Sequence, residues 1–298
     1  MVIYLKLLAT AFLWGGTFVS GRLLSGHVPP ASAAFLRFLT ASLLLVLLTW
    51  KTENAIPRIR KHQIIPLLLL GFTGVFCYNI LFFKGLERIH AGRAALIIAT
   101  NPIFISVLSA YFFKEHLNSV QLIGILLSVT GAVTVISRGN FAQIMSQAVG
   151  AGELFIFGCV LSWVAFSLIG KTVLTGMSPL VSITCASLVG TAALLVPAAA
   201  EGFFYHLFSY AWKDWVNIVY LGLFGTVIGF LWYYEGIRSI GPTKAGLFIN
   251  FVPVSAIALA YLILDEPVTP SLLVGAFLVS IGVYLTNSST NKKATSSA

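Results

Sequence analysis

The sequence predicts an all-α polytopic membrane protein, with ten transmembrane helices in two inverted five-helix repeats. Three observations carry that prediction. Only 9% of the 298 residues are charged and 58% are hydrophobic, whereas soluble domains carry about a quarter charged residues. The apolar residues also fall in long runs, such as 67–83, 94–113 and 254–264, and a spanning helix needs roughly 20 mostly apolar residues. Finally, the chain writes one pattern twice. An offset of 151 carries Gly71, Gly74, Gly85, Pro102, Glu115, Gly124 and Gly131 onto Gly222, Gly225, Gly236, Pro253, Glu266, Gly275 and Gly282, with no gap. Arg93 falls on Lys244. A repeat of this kind governs every later reading of a chain.

A first helix is expected over 4–24, ending at Ser25-Gly26-His27. Pro29-Pro30 opens the second, 30–50, because proline suits a helix's first turn. A basic loop with Lys51, Arg58, Arg60 and Lys61 leads to the third, 64–86, and then the fourth, 92–113. Lys114-Glu115-His116 separates the fourth from the fifth, 120–137. The polar stretch 138–152 reads as a linker between halves 1–137 and 153–286. The second half holds helices over 153–173, 180–200, 215–237, 243–264 and 271–286. The tail 287–298 is rich in Ser, Thr, Asn and Lys and is expected to be disordered.

The first helix joins the repeat at an offset of 149, which carries Trp14, Gly21, Arg22 and Pro30 onto Trp163, Gly170, Lys171 and Pro179. Five helices per copy is an odd number, so the second copy must enter the bilayer from the opposite side. That is the inverted repeat of many secondary transporters. Cations weight one set of loops: Lys6, Lys51, Arg58, Arg60, Lys61, Lys114, Lys171, Arg238, Lys244, Lys292 and Lys293 against Arg22, Lys84, Arg88, Arg93, Arg138 and Lys213. The positive-inside rule then places both termini in the cytoplasm, with the 84–93 loop running against it.

Several functions are disfavoured. The net charge of +9 does not indicate nucleic acid, because the cations sit in short loops where topology explains them. Cys77, Cys159 and Cys185 lie in apolar runs without CxxC or CxxH spacing, so neither a disulfide scaffold nor a metal site is supported. The N-terminal apolar run exceeds a signal-peptide core and reads as a retained helix. No phosphate-binding loop appears, so ATP does not drive the protein directly. HExxH and GxSxG are absent, which weighs against a membrane-embedded enzyme. No cofactor is expected, and a purely structural or receptor role gives no reason for an inverted duplication.

Candidate functional residues lie within the apolar runs. Pro102 and Pro253 remove a backbone hydrogen bond and free the carbonyls of Ile98 and Ile249. They read either as packing kinks or as bends that shape a central cavity and allow gating. Tyr78-Asn79, Asn101 and Asn250 place polar groups where lipid cannot satisfy them. They serve either as interhelical glue, about 0.6 kcal/mol each, or as substrate contacts. Arg37 is the one cation well inside a helix, a functional hypothesis by default, with a snorkelling structural role beside it. Among the aromatics Trp14, Trp163, Trp232 and Tyr233 stand out, and the three tryptophans lie deeper than Trp50, Trp212 and Trp215 at helix ends. They read either as interfacial belt or as a pathway lining that grips apolar or cationic groups. Glu115 and Glu266 close matched helices, as end anchors or as gating ion pairs.

Ala11-Phe-Leu-Trp-Gly-Gly-Thr-Phe, Val28-Pro-Pro, Phe35-Leu-Arg-Phe, Ala99-Thr-Asn-Pro, Phe113-Lys-Glu and Leu264-Asp-Glu-Pro with Gly275 and Gly282 together resemble an EamA-type member of the drug/metabolite transporter superfamily. The resemblance spans nearly the whole chain. It implies a central pathway lined mainly by helices one, three, four, six, eight and nine, and a bacterial inner-membrane exporter of small metabolites, amino acids among them. The expected partners are a small-molecule substrate and the lipid bilayer, with no nucleic acid and the oligomeric state open. Asn79, Asn101 and Asn250 would hold the polar end of the substrate, and Trp14, Tyr78, Trp163, Trp232 and Tyr233 its apolar part. The alternative is an importer or exchanger of a drug, sugar phosphate or nucleotide sugar. A phosphorylated solute would want several central cations, and only Arg37 qualifies.

Overall fold

A computed structural model describes residues 2–53, 59–101, 103–105, 107–108, 118–137, 150–173, 177–240, 248–249 and 251–288, and all regular structure among them is helical. The first half contains α1 (Val2–Leu24), α2 (Pro30–Glu53), α3 (Lys61–Leu70), α4 (Tyr78–Leu86), α5 (Ala91–Ile98) and α6 (Ser119–Ile136). The second contains α7 (Ala151–Val173), α8 (Pro179–Ala200), the short α9 (Phe203–His206), α10 (Trp212–Val219), α11 (Gly229–Ile240), α12 (Phe251–Leu264) and α13 (Pro270–Ser288). Helix starts obey local chemistry. The Asn118 side chain accepts from the Gln121 amide while its own amide donates to the Gln121 side chain, a capping box. Ser178 caps α8 ahead of Pro179.

Among the described residues, six helical spans are long and apolar enough to cross a membrane: 2–24, 30–52, 61–86, 151–170, 179–200 and 212–233. Four shorter apolar helices, α5, α6, α12 and α13, accompany them. Side chains such as Val196 and Leu262 are over 70% exposed. In water such surfaces would drive association; in a bilayer they meet lipid.

The expected third and eighth helices are not uniform. Gly71–Cys77 joins α3 to α4 as a π-helical segment, and Tyr220–Ile228 joins α10 to α11 in the same way. The two segments share the 151 offset, with Gly71 and Gly74 in one and Gly222 and Gly225 in the other. Apolar periodicity does not distinguish a π turn from an α turn, so the sequence reading expects plain helices. The short α9 is likewise unexpected. The last helix runs through Ser288, two residues into the expected polar tail, because extending a formed helix is far easier than nucleating one. The linker residues 138–149 and the tail 289–298 lie outside the described residues.

Close glycine contacts position the core, and they come in pairs. A Cβ placed on Gly71 would lie 2.6 Å from Val189 and 2.8 Å from the Ala186 carbonyl; on Gly222 it would lie 2.8 Å from Thr40 and 2.9 Å from the Arg37 carbonyl. Gly74 meets Phe166 where Gly225 meets Thr17, and Gly85 meets Ile156 where Gly236 meets Leu7. Val189, Ala186, Phe166 and Ile156 are the 149-offset counterparts of Thr40, Arg37, Thr17 and Leu7. Each contact made by one copy is thus repeated by the other on the partner half.

Helices α6 and α13 pack in the same reciprocal manner. Gly131 approaches the Gly275 carbonyl, and Gly282 approaches the Gly124 carbonyl. Small residues allow such close approach in lipid. Gly131→Val puts its branched carbons against Leu278 and Val279 backbone and is expected to destabilise the protein by about 1–3 kcal/mol through overpacking. Equilibrium unfolding in mixed micelles checks this; an unchanged midpoint would show that the two helices are not in contact.

Candidate functional site

Trp14 and Trp163 each stand twelve residues into helices that begin at Val2 and Ala151. Both point into one aromatic cluster. The Trp14 ring lies 5.5 Å from Phe230 and 5.4 Å from Tyr233, centroid to centroid. Trp163 lies 5.6 Å from Tyr78, 5.3 Å from Phe166 and 6.4 Å from Phe230. Tyr78 stacks on Phe82, which meets Phe18 edge-on. Phe230 therefore joins the matched tryptophans of the two halves. These tilted and edge-on geometries suit aromatic quadrupoles, about 0.5–1.5 kcal/mol per pair beyond burial.

A polar cluster adjoins the rings. Arg37 is buried on α2. Its Nε donates to Thr226 Oγ1 at 3.3 Å and its Nη1 to Asn79 Oδ1 at 3.1 Å. Asn79 Nδ2 donates to the Val75 carbonyl at 2.7 Å, and Thr226 Oγ1 to the Leu221 carbonyl, five residues back, at 3.0 Å. Both acceptors belong to π segments, whose wider turns offer carbonyls to side chains. Arg37 also lies over Phe38, 5.3 Å from the ring centroid. Among the described residues no ion pair joins Arg37 to a carboxylate. Gly225 connects the two clusters. Its carbonyl accepts from Trp14 Nε1 at 3.0 Å, and its Cβ position lies 3.9 Å from Arg37 Nη2.

A second group of charges ties the halves together where α5 begins. Glu266, buried just beyond α12, accepts from the amides of Ala91 at 2.9 Å and Gly92 at 3.3 Å. A carboxylate at that position satisfies unpaired helix-start amides and complements the dipole. His90 Nδ1 stands 3.4 Å from the same carboxylate. One turn on, Arg93 pairs with Glu153 of α7 at 2.8 Å, with both side chains under 10% exposed. Thus α5 is held by two carboxylates from the other half. At this same end Glu201 accepts from the Ala31 and Ser32 amides. A cavity of about 630 Å³ opens beside the tie, lined by His90, Arg93, Thr134, Glu266, Thr269 and Ser271 among others; none of the central residues lines it.

The structure brings Trp14, Tyr78, Trp163, Tyr233, Asn79 and Arg37 into this central region. Trp232 is half-buried on α11 but makes none of the ring contacts described here. Asn101 is buried, and its Oδ1 has no hydrogen-bond partner among the described residues. Pro253 is buried in the first turn of α12 as described. Pro102, Glu115 and Asn250 lie outside the described residues. Sequence reasoning missed Phe230, Thr226 and the Arg93–Glu153 pair. A signal for the first two existed: Phe230 and Thr226 occupy the repeat positions of Asn79 and Val75, where the copies differ in polarity. The pair joins helix starts far apart in the chain, and no local pattern announces it.

The profile of the EamA-like transporter family matches residues 1–137 and again 150–288. The uncharacterized transporter YyaM of Bacillus subtilis is 29% identical over 94% of this chain and 92% of its own length. The uncharacterized transporter YetK of the same organism is 30% identical over 95% and 86%. A probable terminal-alkyne amino-acid exporter of Streptantibioticus cattleyicolor is 29% identical over 94% and 92%. One crystal structure superposes with a TM-score of 0.64 at 18% identity, over 96% of both chains; it supports the fold alone.

Proposed function

The chain belongs to the EamA-like transporter family, and on that footing we propose that it is a secondary active exporter of small metabolites such as amino acids. It works by alternating access between two inverted five-helix copies that make ten crossings. The observation that carries this reading is the shared aromatic cluster, to which each half contributes its matched tryptophan through Phe230. Reciprocal glycine contacts support the pseudo-twofold relation of the halves, as does the double match of one family profile.

In this reading the substrate rests between Trp14, Tyr78, Trp163 and Tyr233, with Asn79, Asn101 and Asn250 at its polar end and Trp232 further along α11. Pro102 and Pro253 provide the bends. Glu266, and its counterpart Glu115, hold the gate on either face. The N- and C-termini face the cytoplasm of a bacterial inner membrane. The amino-acid preference follows the exporter among the relatives and the mix of amide and aromatic groups at the centre.

Proteoliposomes preloaded with single labelled amino acids test the proposal. Counterflow of at least one apolar amino acid, absent from empty liposomes, is the expected result. A protein that reconstitutes correctly and moves none of them, while moving a sugar phosphate or nucleotide sugar, would replace the substrate assignment.

A further inference from the structure

The two halves repeat their packing but not their chemistry. At the offset positions of Arg37, Asn79 and Thr226 stand Ala186, Phe230 and Val75. The backbone contact at this level is the same in both copies, since Gly222 meets the Arg37 carbonyl as Gly71 meets that of Ala186. The scaffold therefore does not require a cation there; half the molecule builds the same helix crossing with alanine. Yet Arg37 is 8% exposed, has no carboxylate partner among the described residues, and is held by neutral groups only. A charge without a counter-charge in so apolar a region is unfavourable, and a bilayer deepens that penalty.

The guanidinium has a free edge. Nε and Nη1 are committed to Thr226 and Asn79, while Nη2 makes no hydrogen bond among the described residues. That edge faces Gly225, where a side chain is absent and where Trp14 Nε1 also arrives. A planar fork beside an aromatic wall is suited to a carboxylate on an apolar body.

We propose that Arg37 anchors the carboxylate of the transported solute, which is a small monocarboxylate whose apolar or aromatic body lies against Trp14. This rests on the transporter reading above and deepens it. One guanidinium balances one carboxylate; a phosphate dianion would call for further cations, and the cluster has none among the described residues. Because Arg37 bonds a residue following one π segment and a residue within the other, the anion also reports its arrival to both halves. A carboxylate drawn to Nη2 reorients the fork against Asn79 and Thr226 together.

The test uses purified full-length protein and three probes of one shape: phenylalanine, 3-phenylpropionate (carboxylate without amine) and phenethylamine (amine without carboxylate). Thermal-shift binding and proteoliposome counterflow are read for each. Wild type is expected to bind and move the two carboxylates, with phenethylamine weaker by about 10–100-fold, the range for a hydrogen bond to a charged group. Arg37→Gln is expected to lose that discrimination, and Arg37→Lys to recover it in part, since lysine keeps the charge but not the fork. Wild-type discrimination needs no variant, so misfolding of either substitution does not shield the proposal. Equal use of phenethylamine and 3-phenylpropionate, or full carboxylate discrimination in Arg37→Gln, overturns the anchor while transport stands. A response to hexose phosphate without any to 3-phenylpropionate overturns it in favour of a phosphorylated solute. Failure of all three probes and of hexose phosphate to bind or move removes the transport reading for this class, and the anchor with it.

Discussion

Trp14→Ala is expected to lower substrate flux about tenfold or more while the protein still inserts and purifies. The substitution removes the Nε1 hydrogen bond to Gly225 and two ring contacts, with Phe230 and Tyr233. Each aromatic pair contributes about 0.5–1.5 kcal/mol, and about 1.4 kcal/mol corresponds to a tenfold change in an equilibrium. The loss opens a gap between α1 and α11 at the centre of the bundle, where a solute would be gripped. Counterflow with the best wild-type amino acid measures it. Asn101→Ala extends the test to the residues just beyond α5, since the buried Asn101 amide oxygen has no partner among the described residues. Unchanged flux in both variants would remove these residues from the pathway.

Glu153→Gln is expected to be the most destabilising single charge change outside the centre. It takes the counter-charge from the Arg93 guanidinium at a site where both side chains are under 10% exposed. Removing one partner of a buried pair costs about 3–5 kcal/mol. The comparison is Glu235→Gln, which breaks the Lys6–Glu235 pair, whose side chains are 33% and 51% exposed. Exposed pairs contribute about 0–1 kcal/mol. Unfolding midpoints in mixed micelles should fall much further for the first than for the second. Equal shifts would mean that the α5–α7 tie is solvated, not a buried clasp between halves.

Membrane character, the all-helical fold and the family were legible from the chain because they rest on patterns written in runs: long apolar stretches, matched glycines and prolines, and short motifs such as Ala11-Phe-Leu-Trp-Gly-Gly. The continuous fourth helix expected over 92–113 was not: α5 ends at Ile98, and a turn follows at 99–100. The tryptophan pair was legible for the same reason, since Trp14 and Trp163 share an offset. What escaped depends on groups brought together from distant positions. Phe230 reads as one more apolar residue until Trp14 and Trp163 are seen to meet it. Thr226 is ordinary until the π turn aims it at Arg37. Glu153 looks like a helix-start acid, and only tertiary packing sets it on Arg93. The π segments were invisible because an extra residue in a turn leaves composition unchanged. The sequence does point to them indirectly, through Gly71 and Gly74 and their copies Gly222 and Gly225, whose missing side chains admit the neighbouring helix.

The central claim is that the second copy enters the bilayer from the opposite face. Single cysteines at Ser25, in the turn after α1, and at Ser178, the cap that precedes α8, sit in the corresponding loops of the two copies. With a membrane-impermeant maleimide on intact cells, the cysteine at 25 should react and that at 178 should react only after permeabilisation. Labelling of both from the same side would contradict the inverted arrangement.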